Sequence, residues 1–296
     1  MKLARQLKVH AMHIEHLLIK PYYHLSKQSY INLVYYRIRN WGDLINPVLV
    51  TKFGIRARLI DIDMRNKYLN DDNHSLTNEY MVIGSILQHA NSHTQVWGSG
   101  LISEHSKLKE SPRHIHAVRG PLTRAALKLQ GIACPEIYGD PALLLPRFFP
   151  NEQKKRYKLG IIPHNDHAGF PFPPQLTEND DIKIISLRDG FKNVLETIQR
   201  CENIVSSSLH GLIVADAYNI PSRRLVFNGK LYGGDFKFSD YYRSIKMPDE
   251  IPVFIDSDST IDSLVNACTL KDMNIDLELL EQVCPFRSEV HDQDSF

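Results

Sequence analysis

Asn203-Ile204-Val205-Ser206-Ser207-Ser208-Leu209-His210-Gly211-Leu212-Ile213-Val214-Ala215-Asp216-Ala217 decides the fold. A short β-branched run turns through three serines into an apolar helical run, which is a strand feeding directly into a helix. Such a turn leaves the first backbone N–H groups of the helix without partners, and the helix dipole adds positive potential there. The result is a natural seat for an anion, built here from Ser207, Ser208, Leu209 and Gly211. His210, in the first turn, is placed both to bind that anion and to move a proton. A serine-rich helix start is also an ordinary cap, so at this point both readings stand.

The same strand–turn–helix grammar recurs outward from this stretch. Ile31–Tyr36 reads as a strand running into Asn40-Trp41-Gly42-Asp43 and then a helix with Leu44, Ile45, Val48 and Leu49. Gly42 permits close backbone approach, and Asp43 either caps the helix or holds an incoming hydroxyl. Tyr80–Gly84 and Thr94–Gly98 read as strands, the second ending in the turn Trp97-Gly98-Ser99-Gly100. Ile115–Arg119 is another strand. Gly120-Pro121 then opens a helix to Leu129, with Gly131 as its C-terminal cap. Arg119 brings a planar fork suited to carboxylate or phosphate, and Tyr138-Gly139-Asp140-Pro141 sets a further carboxylate beside a tight turn.

A Pro- and charge-rich stretch, Leu145–Lys155, reads as a linker, after which the pattern restarts. Lys158–Pro163, Ile182–Ser186 and Arg224–Phe227 read as strands, Phe191–Cys201 as a helix, and amphipathic helices follow around Ile261–Ala267 and Leu277–Val283. The reading is α/β: two doubly wound, Rossmann-like domains with a central cleft, the place where such folds bind ligands. The boundaries are 1–29 for a helical arm, 30–150 for a first domain on the acceptor side, and 151–296 for a second domain on the donor side, carrying the C-terminal helices.

Composition narrows the function classes. The 296 residues are 43% hydrophobic and 23% charged, with net charge +1, so no basic field argues for nucleic acid. The four cysteines, at 134, 201, 268 and 284, form no Cys-x-x-Cys pair, which fits a reducing, cytoplasmic setting. No apolar run is long enough to span a bilayer, and no signal peptide is evident. Residues 1–27 differ from the rest: Lys2, Arg5, Lys8, Lys20 and Lys27 are opposed only by Glu15. Leu3, Leu7, His10, Ile14, Leu17 and Leu18 fall near helical spacing, which suits either a docked arm or peripheral contact with the inner face of the cell membrane.

Other histidines read as packed or solvated rather than metal-binding. His114 and His116 share a strand face, and His164-Asn-Asp-His167 is a short pair, but no carboxylate cluster matches either. Tyr232-Gly233-Gly234-Asp235-Phe236 with Ser239-Asp240-Tyr241-Tyr242 reads as a polar aromatic loop, of a kind that stacks on sugars and also occurs with no ligand.

Asn-Trp-Gly-Asp, Trp-Gly-Ser-Gly, Val-Arg-Gly-Pro-Leu-Thr, Gly-Asp-Pro-Ala and Ser-Ser-Leu-His-Gly follow one another in that order. In this the chain resembles the polysaccharide pyruvyl transferase family over roughly Tyr30 to Phe227. The resemblance implies a two-domain fold like the GT-B glycosyltransferases and transfer of pyruvate from phosphoenolpyruvate onto a surface or capsular polysaccharide sugar as a ketal. It implies no metal and no cofactor beyond that co-substrate. His210 and Arg119 match the family's donor-site histidine and arginine. His164 is added to the donor side, and Asn40, Gly42, Asp43, Gly98 and Ser99 to the acceptor side. The acceptor is a sugar, lipid-linked or free.

Many members carry arginine where this chain has Ser208, so one anion contact must come from elsewhere: Arg223, Arg224, Arg188 or His164. Two competing readings remain at the sequence level. One is a GT-B glycosyltransferase using a nucleotide sugar, against which no acidic residue stands plainly placed for a ribose after the second-domain turn, Glu250 being the one left open. The other is a non-catalytic glycan-binding scaffold at the membrane.

Overall fold

Strand β1 (Tyr30–Tyr35) buries Ile31, Leu33, Val34 and Tyr35, and the polar Asn32 among them, the two-sided burial of a strand covered on both faces. The computed structural model describes residues 30–36, 41–64, 79–167, 169–227 and 234–286. The N-terminal arm and Asn40 therefore lie outside the described residues. Contacts join Ile31–Phe296 into one unit.

The first sheet comprises β1, β2 (Arg56–Asp61), β3 (Glu79–Met81), β4 (Thr94–Trp97) and β5 (His114–Ala117), in the order β2-β1-β3-β4-β5. The second comprises β6 (Tyr157–Ile162), β7 (Ile182–Ile184), β8 (Cys201–Ser206), β9 (Ser222–Val226) and β10 (Val253–Phe254), in the order β10-β9-β8-β6-β7. Pairing is parallel from β1 through β3 and β4 to β5, and throughout the second sheet. When strands are counted from the first of each sheet, both sheets run 2-1-3-4-5. The strand order reverses at β1/β3 in one and at β6/β8 in the other, and each switch point opens a crevice at the carboxyl ends of its strands.

The longer helices are α1 (Trp41–Lys52), α2 (Pro121–Lys128), α3 (Phe191–Gln199), α4 (Leu209–Ala217), α5 (Phe236–Ser244), α6 (Ile261–Ala267) and α7 (Leu277–Gln282). Helix α2 starts on Pro121 and closes at Gly131 (φ +75°), where Gly131 N bonds Lys128 O and Ile132 N bonds Leu127 O. Every residue of α4 is buried, as its continuous apolar sequence requires.

Four features depart from the sequence reading. The edge strands β2 and β10 carry too little apolar periodicity to stand out. Residues 239–242 are not a loop but the middle of α5, with Tyr241 and Tyr242 in the core; Phe238, Tyr241, Tyr242 and Ile245 keep the i, i+3, i+4, i+7 spacing of a buried stripe. The segment around α7 also crosses back to the first sheet. Trp97 Nε1 donates to Leu280 O (2.8 Å), and Phe286 packs edge-on to Trp97 with ring centroids 5.9 Å apart. The stretch after Leu145 is packed too: Tyr218 Oη donates to Phe149 O (2.6 Å), and Phe149 and Trp41 both lie against Phe191.

Candidate functional site

The strands flanking both reversals open into one cavity of about 560 Å³. Tyr36 and Asp43 reach it after β1, and Gly84 and Ser85 after β3. His164 and Asp166 follow β6, Ser208, Leu209 and His210 follow β8, and Lys237 comes from α5. Each sheet thus contributes its crevice to a shared space.

His210 is 6% exposed and lies in the first turn of α4. Its Nε2 stands 3.5 Å from Asp140 Oδ2, an ion-pair distance with poor hydrogen-bond alignment, and neither atom has a hydrogen-bond partner. The other carboxylate oxygen of Asp140 is engaged, accepting from Ala142 N at 2.9 Å. One face of the ring packs on the bare Cα of Gly42, where an added Cβ would lie 2.0 Å from His210 Nδ1. Gly42 is therefore required by the imidazole rather than by a turn.

The neighbouring Asp43 is buried, and burial pushes its carboxyl up to about 7. Asp61 pushes the same way, while His210 and Lys237 pull against the rise. A carboxyl titrating near neutrality inside a cavity suits proton transfer. His164 is held down to about 4, first by burial and then by repulsion from Lys237, although Asp166 Oδ2 lies 3.2 Å from its Nδ1.

The serine turn divides its labour. Ser207 Oγ accepts from His164 N (2.8 Å), fixing that residue at the cavity wall. Ser206 Oγ accepts from Ser208 N (3.0 Å), and an added Cβ at Gly211 would lie 2.3 Å from the same oxygen. Ser208 and Leu209 line the cavity while Gly211 packs behind them, and the Ser208 side chain does not cap α4.

Arg119 lies elsewhere than the sequence implied. It is 0% exposed and absent from the cavity wall. Its Nε donates to Asp240 (3.0 Å), one terminal nitrogen to Ser85 Oγ (2.7 Å) and the other to Leu101 O (2.7 Å). Asp240 also accepts from Thr123 N and Oγ1 (2.9 and 2.7 Å), so the pair joins α5 to the start of α2. Arg119 reaches the cavity only through Ser85. Gly98 and Ser99 are likewise set back from it. Gly98 (φ +91°) packs on Pro141, and Ser99 Oγ donates to Gly84 O (2.9 Å).

Of the residues proposed to replace the arginine at 208, only His164 lines the cavity. Arg223 donates to Ala267 O, and Arg224 is engaged by Asp235 and stacks on Phe238. Three lysines do line it: Lys107 and Lys109, both exposed, and Lys237, which is 8% exposed. The Lys237 ammonium has no hydrogen bond or ion pair among the described residues, and burial, with Arg119 and Arg224 nearby, lowers it to about 8. Read as a loop, the α5 stripe gives no sign in the sequence that Lys237 is buried. Among the described residues no group of three His, Cys, Asp or Glu side chains is arranged to hold a metal ion, and no helix is long and apolar enough to cross a membrane.

Comparison with known proteins agrees with the motif order. A mimivirus relative, "Uncharacterized protein L143" of Acanthamoeba polyphaga mimivirus, is 30% identical over 209 residues, 68% of this chain and 69% of that protein. "Succinoglycan biosynthesis protein ExoV" of Rhizobium meliloti (strain 1021) is 32% identical over 164 residues, 53% of this chain and 49% of ExoV; the matched segment thus spans about half of ExoV's length. A Klebsiella pneumoniae crystal structure aligns over 83% of the chain and 98% of its own length, at 13% identity and a TM-score of 0.41. The sequence profile of polysaccharide pyruvyl transferases matches residues 5–226, from before β1 to the end of β9 and so across both crevices and the serine turn. The chain belongs to the polysaccharide pyruvyl transferase family.

Proposed function

We propose that the cavity binds phosphoenolpyruvate and transfers its pyruvyl group to two hydroxyls of one sugar unit of a polysaccharide, as a cyclic ketal. The observation that carries this reading is the meeting of His210, Asp43 and Lys237 in one cavity built from both sheets. The first sheet would serve the acceptor and the second the donor.

A proton delivered to the methylene carbon of the enol leaves positive charge at C2. A sugar hydroxyl adds there and loses its proton, and the C2–O bond to phosphate then breaks. The second hydroxyl adds at C2 and loses its proton. One proton now sits in the new methyl group and the other leaves with phosphate or solvent, so the balance closes. With Nε2 turned to Asp140, Nδ1 is the nitrogen of His210 left for substrate. Asp43, titrating near neutrality, takes the proton of the attacking hydroxyl. Arg119 acts through Ser85 as a positioning residue rather than as a donor contact.

The nucleotide-sugar alternative loses its acidic residue: Glu250 Oε1 lies 2.8 Å from Lys271 Nζ, and its Oε2 accepts from Tyr242 Oη at 2.8 Å. The test is a thermal-shift titration with phosphoenolpyruvate against UDP-, GDP- and CMP-sugars, on wild type and His210→Ala. Stabilisation by phosphoenolpyruvate alone, reduced in the variant, is the expected result. Stabilisation by a nucleotide sugar instead would overturn the reading.

A further inference from the structure

A lysine 8% exposed, with no counter-ion in contact among the described residues and only the Phe238 ring (5.4 Å) against its ammonium, is an expensive thing for a fold to keep. Hydrophobic substitution would normally remove that cost, so the unpaired charge calls for a partner that is not part of the chain. The charges facing Lys237 sharpen this. Asp166 attracts it but is already beside His164, and Asp43 attracts it while burial favours the neutral acid. Arg119 and Arg224 both repel it. The field around the ammonium is therefore short of negative charge.

A second, independent feature opens into the same cavity. Helix α4 begins at Leu209 without a side-chain cap from Ser208, so its first N–H groups keep the unpaired, positive character of a helix start. We propose that Lys237 and the open start of α4 together form a seat for a phosphate group, with the ammonium as point charge and the helix amides as directional donors. A phosphate dianion fits better than a lone carboxylate, because it carries twice the charge and more than the two oxygens of a carboxylate, so several helix amides and the ammonium can be met at once. If the pyruvyl-transfer reading holds, that group is the donor's phosphate, and the seat keeps its charge compensated as the C2–O bond breaks. The identity of the donor rests on that reading; the seat itself does not.

The test uses the full chain with inorganic phosphate and, separately, phosphoenolpyruvate as probes, on wild type, Lys237→Met and Lys237→Arg, read by thermal shift and calorimetry. Phosphate should stabilise wild type, and its affinity should fall roughly 10- to 100-fold in Lys237→Met. Lys237→Arg should retain part of the binding. Without ligand, Lys237→Met should melt no lower than wild type, which separates lost binding from lost folding. Equal phosphate affinity in wild type and Lys237→Met, or no phosphate binding by wild type, overturns the proposal. Phosphate bound through Lys237, with phosphoenolpyruvate binding no better than phosphate and a nucleotide sugar binding tightly, leaves the seat intact and removes pyruvyl transfer.

Discussion

Asp140 Oδ2 and His210 Nε2 face each other at 3.5 Å, both closed off from solvent and both without a hydrogen bond. A small rotation of the imidazole would turn this contact into a charge-assisted bond and commit Nε2 to carrying a proton. Asp140→Asn should therefore lower kcat while leaving KM nearly unchanged, and should alter the pH profile of kcat. His210→Ala should cost the roughly 10²–10⁴-fold that a positioned acid–base group contributes. An Asp140→Asn enzyme with the wild-type profile would reduce Asp140 to its bond with Ala142.

Gly42 is set by the ring it touches. In Gly42→Ala the new methyl would need space now held by His210, with 2.0 Å available to Nδ1. Overpacking of this kind costs about 1–3 kcal/mol, and here the group displaced is the acid–base candidate. Urea unfolding should show the loss, and turnover should fall by more than the stability change explains.

The Arg119–Asp240 pair makes a contrasting prediction. Removing one member of a buried ion pair strands the other, at a cost of about 3–5 kcal/mol. Arg119→Ala should therefore lower the melting temperature whether or not ligand is present. Ser85→Ala should melt near wild type and weaken substrate use, because it cuts only the link from Arg119 to the cavity wall. If Arg119→Ala melted like wild type, the pair would not be a structural joint.

Stability against pH should carry the signature of Asp43. Its carboxyl titrates at about 7 in the fold against an ordinary 3.8, so the protonated form is the one the fold favours. Its stabilising contribution is full below about pH 4 and is lost as pH rises through about 7. His164 acts oppositely, held at about 4 against 6.5, so its contribution grows as pH climbs between those values. Asp43→Asn should be more stable than wild type above about pH 8 and should lose the advantage in acid, as followed by thermal melts across that range.

The strands with continuous apolar runs and the helix starts with proline or serine were legible in the sequence, because local chemistry fixes them. The Ser206–Gly211 turn, the Gly120-Pro121 helix start and the Gly131 cap all depend on a few adjacent residues. The roles of Arg119 and Lys237 were not legible, for one shared reason. Arg119 looks like an anion fork until Asp240, 121 positions later, occupies it, and Lys237 looks like a surface charge until α5 buries it. Both assignments turn on a long-range contact of the same helix. The apolar stripe of α5 was available in the sequence and would have moved residues 239–242 from loop to core.

The return of Leu280 and Phe286 to Trp97 has a bearing on how the chain is made. The first sheet is synthesised early, yet the carbonyl that satisfies Trp97 and the ring that packs on it lie near residue 280 and at residue 286. During translation the face of the first sheet around Trp97 and Phe53 stays unfinished until the whole of the second sheet has left the ribosome. Neither half can complete its core in isolation, so folding is gated by the arrival of a segment far removed from the strands it closes.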